Sequence, residues 1–478
     1  MIRRLSRGYC CRQILLIKPL MPCRKIFIRK NVRLNPLEKG RKMTRTGWLS
    51  TVALAAILIG PGAMAAPAGD AVTQWNAQAG TAATKACIAP LDNPFHESRM
   101  YAMMHLAIHD ALNAIDRRYQ PYAYDQKADP STSPNAATAA AAHNVLVALI
   151  GQLPTELVQK ECIDAGIAST EAAYTAALAD IPDSADKHKG IALGQAAAKA
   201  VLDKRANDHA HEGPFLNKTC PPAGQPGAYQ CTPDRPFVAF EKWEKVTPFV
   251  MKDNTEFRPG PPYAVTDATF KKDFDEVQSL GGDGTTTPSA RTEEQTQIAL
   301  FWLESSPLKW SRIARTVAIQ KGLDPWEKAR LFAVLEMALT DGYIAMVSHK
   351  NHYQFWRPVT AIRASGDAKW TPLMITPPNQ DYPSGHSIEG GVGAEVLKQV
   401  LGTDQISFQD CGATLPAGTT CDDATPTLRS YTSFTQAAQE NAYSRVLVGF
   451  HFRKATDEGT ACGRKIGERA ATLLPKVP

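Results

Sequence analysis

The run "PWEKARLFAVLEMALTDGYIAMVSH", residues 325–349, sets apolar residues at helical spacing behind a proline suited to a first helical position. The same spacing recurs at 97–118 ("ESRMYAMMHLAIHDALNAIDRR"), 137–151, 155–180 and 291–304 ("RTEEQTQIALFWLE"), with an Ala-rich continuation at 191–202. Period-2 alternation is scarce, so the expected class is all-α. The texture changes at 212–264, where Pro, Gly and aromatics ("GPFLNKTCPPAGQPGAYQC", "FRPGPPYAV") cannot propagate helix. Two last helices are expected at 385–400 and 433–472, on either side of a Cys-bounded loop at 402–430. The organisation read from this is an N-terminal helical half at 66–211, a Pro/Gly-rich connecting segment at 212–290 and a helical bundle at 291–478.

The formal net charge of +6 is carried by the first 42 residues, which hold 13 Lys/Arg and one acid, Glu38. From Met43 onward 40 Lys/Arg face 46 Asp/Glu, a net of −6, which argues against a nucleic-acid partner. Arg45, the apolar run Leu49–Ile59 and Ala63-Met64-Ala65 read as a secretory signal over 43–65, cut before Ala66, with 1–42 an upstream start extension. That run is too short to span a bilayer, and no later stretch supplies 18 apolar residues, so no membrane span is expected in the mature chain. A periplasmic or secreted location follows, and homo-oligomerisation is left open. Seven of the ten cysteines lie beyond the extension; sequence proximity pairs Cys220 with Cys231 and Cys411 with Cys421. Cys87, Cys162 and Cys462 leave at least one thiol unpaired, and no CxxC spacing suggests structural zinc.

His105 and His109, one turn apart beside Asp110, could face a metal but read as helix packing. "GGDG" at 281–284 reads as a turn. Three other pieces carry chemistry. "KNHYQFWRP" places Lys350 and Arg357 seven residues apart, with Pro358 breaking the helix at Arg357. "PSGH", Pro383 to His386, reads as a helix start, with Ser384 as its cap and Gly385 allowing close backbone approach. "SRVLVGFH" sets Ser444, Arg445 and His451 on one helix, the serine and histidine sharing a face. Together they offer three cations, two histidines, a hydroxyl and helix N-terminal amides, a set that suits an oxyanion. Three cations within about 5 Å repel by roughly 3 kcal/mol per pair at an effective dielectric near 20, which a phosphate-like guest relieves.

Lys350–Pro358, Pro383–His386 and Ser444–His451 resemble the three-part signature shared by vanadium-dependent haloperoxidases and type 2 phosphatidic-acid phosphatases. "MMHLAIHDALNAID", "FRPGPPYAV", "DFDEVQSLGG", "ARLFAVLEMALTDGYIA" and "HYQFWRPVTAIR" extend the likeness to the bacterial haloperoxidase-like branch over nearly all of 90–472. The resemblance implies an all-α fold of two helical bundles. It implies vanadate as cofactor, ligated by His451, with Lys350, Arg357, Arg445, Ser384 and the Gly385 N–H holding oxygens. His386 is then the acid–base group, and Lys350 polarises peroxide for attack by halide. The partners implied are hydrogen peroxide, a halide and an organic acceptor. In phosphatase members the same pocket takes a phosphoryl group, with the equivalent of His451 as nucleophile, so a secreted acid phosphatase is the alternative. A non-catalytic oxyanion-binding protein is the third. Two positions depart from the pattern. Ala455 stands where the signature carries an Asp four residues after its last histidine, and Asn379 where characterised haloperoxidases carry Phe or His near the halide.

Overall fold

Thirteen α-helices, one short 3-10 helix (Glu241–Lys245) and two short hairpins account for the regular structure of the described residues in this computed structural model, which are 69–222, 224–415, 421, 423 and 425–477. The stretches read as a signal segment and start extension lie outside them. The first five helices are α1 (Ala71–Lys85), α2 (Pro94–Ile115), α3 (Pro134–Gly151), α4 (Lys160–Ala179) and α5 (Ala185–Lys204). Next come α6 (Ala268–Leu280), α7 (Glu293–Phe301), α8 (Ser306–Gln320) and α9 (Pro325–Tyr353). The last four are α10 (Pro358–Ala364), α11 (Gly385–Leu401), α12 (Phe434–Leu447) and α13 (Arg453–Ala471). The hairpins pair β1 (Leu216–Asn217) with β2 (Val238–Ala239) and β3 (Phe408–Cys411) with β4 (Leu428–Tyr431), both antiparallel. The protein is all-α, with a distinct C-terminal helical bundle.

α9 is the helix the rest are built on. Pro325 occupies its first turn, and Asp324 and Glu327 form a reciprocal capping box that satisfies two N-terminal amides. α9 packs against α2 on one side and α11 and α13 on the other, so a single hydrophobic core runs from the first helices into the C-terminal bundle. It is the one described helix long and apolar enough to cross a bilayer, and its apolar stretch is wholly buried in protein, as befits a core helix. α11 and α13 approach closely because glycines line their contact. A Cβ on Gly463 would lie 1.9 Å from the Ile388 carbonyl oxygen, and one on Gly391 would lie 2.3 Å from that of Thr460. This contact sets where α11 begins.

Several boundaries differ from the sequence reading. The stretch expected as one helix at 433–472 is two, α12 and α13, because Gly449 takes φ +82 and the Phe450 and His451 amides both turn back to the Arg445 carbonyl. α6 lies inside the segment read as connecting, and α1 and α8 went unread. The 402–430 loop carries β3 and β4. The 281–284 turn is as expected, with Asp283 accepting from the amides of Thr285, Thr286 and Thr287. Disulfides join Cys220–Cys231 and Cys411–Cys421, as spacing suggested, and also Cys87–Cys162, leaving Cys462 as a buried thiol. His105 and His109 are buried in packing: His105 Nε2 meets Asn76 Nδ2 at 3.0 Å, and His109 Nε2 donates to the Gln120 carbonyl at 3.0 Å. Asp110 caps the turn beyond α2 by accepting from the amides of Tyr122, Ala123 and Tyr124.

Candidate functional site

Lys350 lies in the last turn of α9, which closes on Gln354 in the left-handed region (φ 47). The chain then runs extended through Arg357 (φ −82, ψ 154) until Pro358 opens α10, the break expected from the proline. Both cations therefore turn inward, and Lys350 and Arg357 are 2% and 1% exposed. The Lys350 ammonium donates to the carbonyls of Gln380 and Asp381, the latter at 3.1 Å. Arg357 Nε donates to the Asn379 carbonyl at 2.7 Å and Nη2 to its Oδ1 at 2.6 Å. Arg357 Nη1 reaches the Phe450 carbonyl at 2.8 Å and His451 Nε2 at 2.9 Å.

The Ser-Gly-His turn starts α11. Ser384 is at the N-cap position, but its hydroxyl makes no cap; it accepts from Ser387 Oγ at 2.9 Å, while the Ser384 amide donates to the Ala455 carbonyl at 2.9 Å. Gly385 packs closely on α9: a Cβ there would sit 2.4 Å from Met346 Sδ, so that side chain would have to move. His386 is half-buried, and its Nε2 meets the Glu304 carbonyl at 3.2 Å. Desolvation, with Arg445 next, pushes the imidazole down to about 3, so it is neutral.

Arg445 comes from the last turn of α12 and is 1% exposed. Its Nε donates to Ser444 Oγ at 3.1 Å, and its Nη2 has no protein partner. His451 follows the Gly449 turn instead of continuing the helix, so it does not share a helix face with Ser444. Its Nδ1 lies 2.9 Å from Asp381 Oδ1, and its Nε2 faces Arg357. A guanidinium can only donate, so Nε2 accepts and the ring proton belongs on Nδ1, toward the carboxylate. Burial, followed by Arg357, Lys350, Arg445 and His386, holds the His451 imidazole well below its ordinary range. Asp381 is fully buried; burial pushes its carboxyl up to about 7 against the pull of Arg357 and Lys350.

The structure thus brings Lys350, Arg357, Ser384, Gly385, His386, Arg445 and His451 to one locus. Sequence reasoning missed Asp381, the acid two residues before Pro383, because nothing local marks a partner 70 residues away. Three buried cations face one carboxylate, one guanidinium nitrogen is orphaned, and an imidazole nitrogen offers a lone pair. That set fits an oxyanion bearing negative charge on several oxygens. It is not a multi-ligand cation centre: among the described residues no group of three or more His, Cys, Asp or Glu is placed to hold a metal ion.

Residues 330–477 match a protein family described as the VCPO second helical-bundle domain. Vanadium chloroperoxidase of Curvularia inaequalis is 23% identical over 378 residues, covering 65% of this chain and 62% of the relative, so the chain spans about three fifths of that protein's length. Among solved structures, a bacterial vanadium-dependent iodoperoxidase superposes with a TM-score of 0.72 at 24% identity, covering 85% of this chain and 96% of the other. A holo-type bacterial vanadium-dependent chloroperoxidase gives 0.66 at 16% identity, covering 85% and 97%. At these identities the likeness establishes the fold.

Proposed function

We propose that the chain is a member of the superfamily of vanadium-dependent haloperoxidases and type 2 phosphatidic-acid phosphatases, and within it a vanadate-dependent haloperoxidase, a reading supported by the matched helical-bundle domain and the shared fold. The single observation that carries the reading is Arg445: a guanidinium 1% exposed, with an unpartnered Nη2, beside a neutral His451. A buried cation without a counter-charge is costly, and an oxyanion guest removes the cost. His451 Nε2 would ligate vanadate, with Lys350, Arg357, Arg445, Ser384 Oγ and the Gly385 N–H holding its oxygens. Bound vanadate supplies a Lewis-acidic centre that activates hydrogen peroxide toward halide without a change of oxidation state.

The chain's own residues do the rest. Arg357 is held by Asn379 and the Phe450 carbonyl before any guest arrives, so only its Nη1 contact with His451 Nε2 has to give way when the guest binds. His386, neutral and half-buried, can take a proton from peroxide and return it as water leaves. Burial lowers the Lys350 ammonium well below the ordinary lysine value, and an anionic guest favours its protonated form. An organic acceptor is halogenated outside the cation cluster.

A second reading, acid phosphatase, is favoured by one contact: a carboxylate on His451 Nδ1 is what a nucleophilic histidine uses to expose Nε2. One preparation separates the readings. Orthovanadate, peroxide and bromide together should brominate a phenol dye, with inorganic phosphate competing. Steady release of nitrophenol from its phosphate ester, without vanadate-dependent peroxide consumption, would replace the first reading by the second. Tight binding of both anions with neither activity would leave an oxyanion-binding protein. Secretion or periplasmic export is part of the proposal, supported by the three disulfides.

A further inference from the structure

Three consecutive residues ahead of the Ser-Gly-His turn each hold a different member of the pocket. Asn379 takes Arg357 through its carbonyl and its side chain, the Gln380 and Asp381 carbonyls take Lys350, and the Asp381 carboxylate takes His451 Nδ1. Position 455, where the resembling signature carries an acid, is Ala455; its carbonyl is occupied by the Ser384 amide. An imidazole left without an acceptor on Nδ1 can place its proton on Nε2. The pocket would then present only donors and no lone pair.

We propose that Asp381 is the positioning residue for His451, doing from the segment before α11 what the absent acid at 455 does in the signature. Because Arg357 donates to Nε2, Asp381 Oδ1 accepts the proton on Nδ1; the contact selects the Nδ1–H form and keeps the Nε2 lone pair for the guest that displaces Arg357. The inference rests on the reading of the pocket as an oxyanion site. It goes beyond it in naming a residue that touches no guest and sets which anions bond rather than merely dock. Phosphate at rest is held by the cations alone, whereas vanadate also needs the nitrogen lone pair. The two anions therefore report different parts of the site.

The test compares orthovanadate and inorganic phosphate binding, by calorimetry and vanadium-51 NMR, in the wild type, Asp381→Asn and Asp381→Ala. The expected result is a loss of vanadate affinity of about tenfold or more with a shifted vanadium resonance, while phosphate affinity changes little or rises. A merely structural role would lower both together, and that result overturns the proposal, as does unchanged vanadate binding in folded variants. Should neither variant fold, nitrogen-15 NMR of the wild-type histidines decides. The signal lost in His451→Ala must show the proton on Nδ1; a proton on Nε2 overturns the proposal. Failure of the wild type to bind either anion would instead refute the oxyanion reading itself.

Discussion

Two buried charge clusters lie within reach of His386 and are built on opposite rules. In the first, Lys309 and Arg312 of α8 face Glu304 and Asp410, two cations against two carboxylates, with Lys309 to Glu304 at 2.8 Å and Arg312 to Asp410 at 2.7 Å. Every charge there has its opposite, and the Cys411 carbonyl takes the remaining donors. In the second, Asp381 bonds His451 and, of the three cations, feels only Arg357 and Lys350, while Arg445 has no carboxylate partner and its Nη2 is left over. The first cluster is complete as a structure. The second is complete only with a guest. Burial alone therefore does not mark a functional site; imbalance of buried charge does.

The largest expected effect breaks the first cluster. Arg312→Ala leaves Asp410 and Glu304 underpaired and should cost about 3–5 kcal/mol of stability, read as a fall in melting temperature. Arg445→Met removes an unbalanced cation and should leave the melting temperature of the ligand-free protein unchanged or higher. If both variants lose stability equally, the contrast is wrong. Orthovanadate or phosphate at 100 times its Kd should stabilise the wild type by about 2.7 kcal/mol, and Arg445→Met should abolish that gain. A third test moves the scaffold. Gly463→Ala forces a Cβ to within 1.9 Å of the Ile388 carbonyl oxygen, so α13 must shift from α11. The expected cost is about 1–3 kcal/mol, with weaker anion binding because the start of α11 moves too.

A buried acid outside both clusters is read against pH. Glu97 is buried with Tyr101 Oη donating to it, and burial pushes its carboxyl up from 4.5 to about 8. The folded state then holds a proton that the unfolded state has released, so stability falls as pH rises from about 4.5 to about 8. The slope contributed is at most about 1.4 kcal/mol per pH unit, and Glu97→Gln should flatten it in a series of denaturant melts.

What was legible in the sequence was local. α9 showed through its apolar spacing and Pro325, and the pocket's three pieces showed because each is a short run of particular residue types. The break between α12 and α13 did not show, since apolar residues continue through Val446–Phe450 and only the positive φ of Gly449 turns the chain. Asp381 escaped for a different reason. The missing acid at 455 was visible as an absence, but its counterpart reaches His451 across 70 residues, a distance that spacing cannot cover. The Cys87–Cys162 bond, 75 residues apart, was unassigned on the same physical ground. Local chemistry is written in short runs; the pairing of buried charges is written only in the fold.

The most direct measurement is a crystal structure of the protein soaked with orthovanadate. The account predicts one anion bonded to His451 Nε2 and touching the Arg445 nitrogen that now lacks a partner. An anion bound elsewhere, or a His451–Arg357 contact undisturbed at saturating vanadate, would contradict it.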